Sequence, residues 1–245
     1  MFRCYKLQSF RLTARPSQLH PLRDGRIPKF QLFAGLSIST TPKAVVVFDL
    51  LTALLDSWSV WDAVAGSETQ GRRWRARYLE LTYQCGAYKP YEDLVAEAAA
   101  DSSLPSTAAA ALRANWDNLT PWPEARRVLA RLRTQGLRLG VVTNCSTELG
   151  RRAAARCVIP FDAVVTAEEV GFYKPCPEPY RAVLAALNIN AEFALFVAGS
   201  SADVAGAAGV GMQVVWHNRI GLPAQPGSKP LREAASLDAA LDGFV

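Results

Sequence analysis

The chain has 245 residues, half of them hydrophobic, enough to bury a core and build one domain that carries an insertion. Its formal charge of +5 sits at one end: residues 1–43 hold eight basic residues and one acid, while the remainder carries a net −2, which argues against a nucleic-acid surface on the folded part. No apolar run approaches the roughly 20 residues that a bilayer span needs, and the five cysteines (Cys4, Cys85, Cys145, Cys157, Cys176) lack Cys-x-x-Cys spacing, so they read as reduced thiols rather than a disulfide framework or zinc site.

In chain order, residues 1–43 are Arg-rich, carry Ser and Thr, and have Asp24 as their one acid, without a compact apolar segment. That composition predicts an organellar transit peptide, mitochondrion ahead of plastid. Ala44–Leu50 is short, β-branched and apolar without alternation, the pattern of a strand buried on both faces. Helical segments follow at Gly71–Tyr88, Tyr91–Asp101 and Thr107–Trp116, and Thr120-Pro121-Trp122-Pro123 breaks the pattern. The chain then alternates. Helices are predicted over Glu124–Thr134, Thr147–Arg156, Pro177–Leu187, Ala202–Ala208 and Leu237–Leu241. Strands are predicted over Arg138–Thr143, Phe161–Val165, Phe193–Ala198 and Gln213–Trp216. Such alternation means βαβ units: an α/β, Rossmann-like, doubly wound parallel sheet covered on both faces. Residues 44–57 and 120–245 form this core, and 58–119 interrupt it as an inserted helical cap.

Ligand chemistry in open parallel sheets sits at the carboxyl ends of the strands. Here those ends offer Asp49, then Thr143 and Asn144, then the Gly199–Asp203 turn, with Lys174 in a tight Tyr-Lys-Pro loop between the last two. A carboxylate at a strand end is costly to bury unless it is paired or used, and one beside a lysine stays ionised and competent as a nucleophile. Other readings stand beside these: Asp203 as the N-cap of the Ala202–Ala208 helix, Tyr180 as packing, and Arg72, Arg73 and Arg77 as a solvated helix face around Arg75. His20 and His217 read as non-catalytic, and Gly206 and Gly209 as sites of close helix–sheet approach.

This order of elements resembles the haloacid dehalogenase superfamily over residues 44–241. Asp49 falls at the nucleophile position of its first motif, Thr143-Asn144 at its second, Lys174 at its third and Gly199-Ser200-Ser201-Ala202-Asp203 at its fourth. Phosphatases of the superfamily carry a second acid two residues after the nucleophile, to protonate a leaving alkoxide. Here that residue is Leu51, which cannot, whereas a halide leaves without a proton. Trp74-Arg75-Ala76-Arg77-Tyr78-Leu79-Glu80-Leu81-Thr82-Tyr83 likewise resembles the helix of the L-2-haloacid dehalogenase branch that bears its halide-binding arginine. The resemblance implies attack by Asp49 on the halogen-bearing carbon, with Arg75 and Asn144 receiving the halide. Asp203 would then orient a water onto the ester, while Lys174 and Thr143 hold the substrate carboxylate. It also implies an apolar wall at Leu51 and Leu79, a role for Tyr180, no cofactor, and a dimer-forming cap surface. Departures are Thr52-Ala53 in place of Gly-Thr, which loses or displaces a threonine hydroxyl by one residue, and Ala198, Ser200 and Ala202 in the water-handling shell.

Two alternatives keep the fold. One is a magnesium-dependent phosphatase that ligates through Asp49, the Leu51 carbonyl and Asp203, with Gly199 withholding a further carboxylate. The other is a catalytically silent binding protein.

Overall fold

A computed structural model describes residues 45–245; the leader reading falls on residues 1–43, outside the described residues. The first strand, β1 (Val45–Asp49), is followed by a two-residue strand β2 (Leu55–Asp56) and the cap helices α1 (Ser57–Ala65), α2 (Glu68–Gln84), α3 (Tyr91–Asp101) and α4 (Ala108–Ala114). The chain returns through β3 (Thr120–Pro121), which pairs antiparallel with β2, so the outgoing and returning cap linkers are stitched together. The alternation then runs α5 (Ala125–Thr134), β4 (Arg138–Thr143), α6 (Thr147–Ala155), β5 (Ala163–Thr166), α7 (Ala167–Val170), α8 (Pro177–Ala186), β6 (Ala194–Ala198), α9 (Ser201–Gly209), β7 (Gln213–His217), β8 (Arg232–Ala234) and α10 (Leu237–Leu241).

The strands form one parallel sheet in the order β5-β4-β1-β6-β7-β8. Its middle strand shows why the sequence lacks alternation. Val46 and Phe48 pack into one core with Leu129 and Leu132 of α5 and Leu149 of α6, while Val45 and Val47 pack into the other with Val183 of α8 and Val204 of α9. All four β1 side chains are fully buried, worth roughly 1.5–3 kcal/mol apiece. Because β4 and β6 flank β1 on opposite sides, the order reverses at β1, and Asp49 leaves its carboxyl end into the crevice of that switch point.

The cap packs around aromatic rings. Trp61 of α1 meets Trp74 of α2 at 4.5 Å between centroids, and Tyr78 meets Tyr91 at 5.3 Å. It is tied to the core where the Tyr78 hydroxyl donates to the Asn144 carbonyl at 2.7 Å and that of Tyr173 to the Lys89 carbonyl at 2.8 Å.

Several local expectations change. Helix α1 was not foreseen, since Ser57-Trp58-Ser59-Val60-Trp61 has weak helical propensity; Asp56 starts it by accepting the Ser59 amide at 3.1 Å. The N-cap of α9 is Ser200, not Asp203: the Ser200 hydroxyl accepts the Asp203 amide at 3.3 Å, which frees the Asp203 carboxylate. Gly206 does allow a close approach, but to Tyr180 and the Pro175 carbonyl rather than to the sheet, as an added Cβ would lie 2.6–2.8 Å from them; Gly209 faces open space.

Candidate active site

The turn after β1 folds back on its own carboxylate. Asp49 Oδ2 accepts the Thr52 amide at 2.9 Å, the Thr52 hydroxyl at 2.5 Å and the Ala53 amide at 3.2 Å. The threonine hydroxyl displaced by one residue in the sequence therefore still reaches the carboxylate. Among the described residues Asp49 Oδ1 has a single partner, the Lys174 ammonium at 2.7 Å. The two oxygens are thus unequal: one is saturated by three donors, and the other keeps a free lone pair.

Lys174 reaches Asp49 from the loop after α7 and also meets Asp203 at 3.1 Å. Asp203 accepts the Tyr180 hydroxyl at 2.8 Å, which is how a fully buried tyrosine on α8 orients a carboxylate on α9. Asn144 clamps the lysine loop: its Oδ1 accepts the Lys174 amide at 2.7 Å, and its Nδ2 donates to the Lys174 carbonyl at 3.0 Å. The Thr143 hydroxyl donates to Cys145 Sγ at 3.3 Å. Toward a substrate carboxylate, Lys174 thus keeps one N–H, and Thr143 only oxygen lone pairs.

On the cap side, Arg75 is 5% exposed and yet has no carboxylate partner among the described residues. Its Nη1 donates to the Ser57 hydroxyl at 2.6 Å, and its guanidinium lies 4.0 Å over the Trp58 ring. A buried cation without a counter-ion is costly, and this one borders the same cavity as Asp49.

That cavity, of about 50 Å³, is bordered by Asp49, Thr143, Asn144, Lys174, Ser200 and Asp203 from the core, and by Arg75 and Leu79 from the cap. Leu51, Leu79, Trp58 and Leu222 give it apolar walls. The residues given a catalytic or substrate-binding role from the sequence all border it except Tyr180, which stands behind Asp203; Ala198 and Ala202 do not line it. Lining residues not foreseen are Trp58 and Leu222, while Thr52, Tyr83 and Gly199 stood in the motifs without a place in the cavity. Tyr83's place was legible, because Arg75, Leu79 and Tyr83 stand at i, i+4 and i+8 on α2, one face of a helix. The close approach at Gly199 was not: a Cβ there would lie 1.9 Å from Thr52 Oγ1 and 2.4 Å from Asp49 Oδ2. The fourth strand end can therefore approach the first only without a side chain.

The electrostatics separate the two carboxylates. Burial pushes Asp49 up, but the Lys174 charge and the hydrogen bonds from Lys174 and Thr52 outweigh it, leaving Asp49 below the ordinary carboxylate value. Burial also pushes Asp203 up, and there the Asp49 charge adds to it, so Asp203 stays raised despite Lys174. Burial lowers Lys174, but the two carboxylates more than reverse this and keep it protonated. One carboxylate is thus held ionised, and the other has a raised basicity.

A carboxylate held by lysine at a switch-point strand end, under a helical cap and beside a small cavity, points to a hydrolase. Comparison with known proteins agrees. The family model for haloacid dehalogenase-like hydrolases matches residues 34–211. Haloacetate dehalogenase H-2 of Moraxella sp. (strain B) is 31% identical over 193 residues, covering 72% of this chain and 86% of that protein. (S)-2-Haloacid dehalogenase H-109 of Pseudomonas putida is 28% identical over 217 residues, covering 82% and 97%. The crystal structure of L-2-haloacid dehalogenase RSc1362 superposes with a TM-score of 0.71 at 28% identity, over 80% of this chain and 96% of that one. The chain belongs to the haloacid dehalogenase-like hydrolase family.

Proposed function

We propose that the protein hydrolyses a small 2-halo-acid through an ester on Asp49, without a metal. The observation that carries this is the unpaired, buried Arg75 guanidinium bordering one small apolar-walled cavity with an ionised Asp49 and no acid at position 51. Asp49 Oδ1, the oxygen with the free lone pair, attacks the halogen-bearing carbon. The carbon–halogen bond breaks with its electron pair, and the halide departs toward Arg75. Leu51 supplies no proton to the leaving group, and a halide requires none. Water then adds at Asp49 Cγ as Asp203 accepts its proton, and the negative charge develops on Oδ2, where the Thr52 and Ala53 amides and the Thr52 hydroxyl already point. Collapse breaks the Cγ–Oδ1 bond and releases the 2-hydroxy acid, which takes up a proton, and Asp49 is regenerated carrying one oxygen from water. The cavity volume supports an acid of two or three carbons, and the names of the two relatives support the reaction class.

Magnesium fits less well. The Leu51 carbonyl accepts the Ser57 hydroxyl, Asp49 Oδ2 is saturated, and Lys174 bridges Asp49 to Asp203. Near-octahedral coordination would require these donors to be released together. The full chain offered L-2-chloropropionate, with free chloride followed in the presence and absence of chelator, tests the reading. Chloride release that survives chelation and disappears in Asp49→Asn is expected, and hydrolysis of p-nitrophenyl phosphate only with magnesium would overturn it. The basic leader supports delivery to an organelle, mitochondrion ahead of plastid, which the destination of the full chain fused to a fluorescent reporter checks.

A further inference from the structure

The peptide groups that face Asp49 are themselves held from behind. The Thr52 amide that donates to Asp49 Oδ2 belongs to the same planar unit as the Leu51 carbonyl, and that carbonyl accepts the Ser57 hydroxyl. The Ala53 amide belongs to the same unit as the Thr52 carbonyl, and that carbonyl accepts the Trp122 indole N–H at 2.9 Å. In a trans peptide the C=O and N–H point in opposite directions, so a donor fixed on the oxygen aims the N–H the other way and polarises it. Ser57 opens the outgoing cap linker and Trp122 closes the returning one, adjoining the short β2–β3 ladder. Behind Ser57 stands Arg75, which donates to its hydroxyl at 2.6 Å.

We infer that Ser57 and Trp122 are positioning residues for the hydrolytic half of the reaction: through the Leu51–Thr52 and Thr52–Ala53 peptides they align and polarise the amides that receive the oxyanion on Asp49 Oδ2. This rests on the ester mechanism proposed above. Both side chains come from the cap linkers, so seating of the cap also assembles the oxyanion site, and Arg75 extends one of the two chains of hydrogen bonds to the leaving-group end of the cavity.

The two steps respond in opposite ways. The attacking carboxylate is quenched by donors on Oδ2, so loosening them does not slow ester formation. The tetrahedral intermediate requires those donors, so loosening them slows hydrolysis. Removing a direct oxyanion donor costs about 10²–10³ in rate; a donor acting through a peptide is expected to cost about tenfold. Trp122→Phe is the cleanest variant, since it keeps a ring against Arg219 and His217, loses the N–H, and lies outside the cavity lining. Ser57→Ala is the second variant, with Ser57→Thr as its rescue.

The experiment is rapid-quench halide release from L-2-chloropropionate by the full chain, with mass spectrometry of the peptide that contains Asp49. For Trp122→Phe the expected result is a halide burst as fast as in the parent protein, a steady-state rate about tenfold lower, and accumulated ester on Asp49; Ser57→Ala, which also frees Arg75 at the leaving-group end, is expected to lower the steady state at least as much, with Ser57→Thr restoring turnover. A burst and steady state that fall by the same factor in Trp122→Phe, or a steady state left unchanged in both variants, would overturn the inference. A parent protein that gives neither halide nor ester would instead overturn the ester mechanism itself.

Discussion

Replacing Lys174 with methionine removes the one ammonium shared by Asp49 and Asp203, two carboxylates that are 7% and 5% exposed. Breaking a buried ion pair from one side costs about 3–5 kcal/mol, because an uncompensated charge is left behind. One pKa unit corresponds to about 1.4 kcal/mol, so this loss equals roughly two to four units distributed over the two acids. In the parent protein Asp49 is lowered, so its stabilisation is complete above the unfolded carboxylate value near 4 and is lost as pH falls through its lower folded value. Without Lys174 the folded value of Asp49 rises above the unfolded one and its sign reverses, while that of Asp203, already raised, rises further: for both acids stability is then full at low pH and is lost as pH rises through the raised folded values. Urea unfolding of both proteins should therefore show a gap of about 3–5 kcal/mol at about pH 8 that narrows by about 1.4 kcal/mol per proton taken up and per pH unit toward about pH 5. A gap equally wide at both pH values would refute the argument that the lysine neutralises buried charge, and would assign it to packing alone.

Other outcomes follow from the same geometry. Gly199→Ala should reduce turnover by about 100-fold or more, since its Cβ must displace Thr52 or Asp49, whereas Gly209→Ala in open space on α9 should leave activity intact and add up to about 1 kcal/mol to stability. Arg75→Met should lose most halide release while chemical unfolding shows equal or greater stability, because a buried cation without a counter-ion is removed. Asp203→Asn should release about one equivalent of halide and then stop, with the ester retained on Asp49; continued turnover would show that another group activates the water. Tyr180→Phe, which removes one hydrogen bond from Asp203, should slow the same step by about tenfold without changing the burst.

How much of this was readable in the sequence depended on the range of the interactions involved. The sheet was legible because strands buried on both faces leave uninterrupted apolar runs, and Val45–Phe48 is one. The strand-end residues were legible because a topological rule gathers carboxyl ends whatever their separation in sequence, bringing Asp49, Asn144 and Asp203 together. Helix α1 was not, since its aromatic and serine residues have little intrinsic helicity and its stability comes from Trp61 packing on Trp74. Gly199 carries no sign in the sequence of the 1.9 Å approach that forbids a side chain there.

The same distinction explains why the cap linkers looked inert. Ser57 read only as the last residue before the cap and Trp122 as part of a Pro-rich break, because a hydrogen bond to a backbone carbonyl leaves no residue-type pattern at its acceptor. Their meaning lies in the peptide plane: a donor on the carbonyl of one residue determines where the next residue's N–H points. The turn Asp49-Leu50-Leu51-Thr52-Ala53 is held this way at three successive carbonyls, by Ser57, by Trp122 and by His217 Nδ1, which lies 2.8 Å from the Ala53 carbonyl. The first two fix amides that face Asp49. The third fixes the peptide whose N–H returns to the Leu50 carbonyl at 3.3 Å, closing the turn. His217 therefore has a structural task at the Ala53 carbonyl; burial lowers its pKa and outweighs the hydrogen bond to that carbonyl, which raises it. Asp49, the nucleophile of the mechanism proposed above, is thus supported by groups outside the cavity lining, contributed by the two ends of the cap and by the carboxyl end of β7.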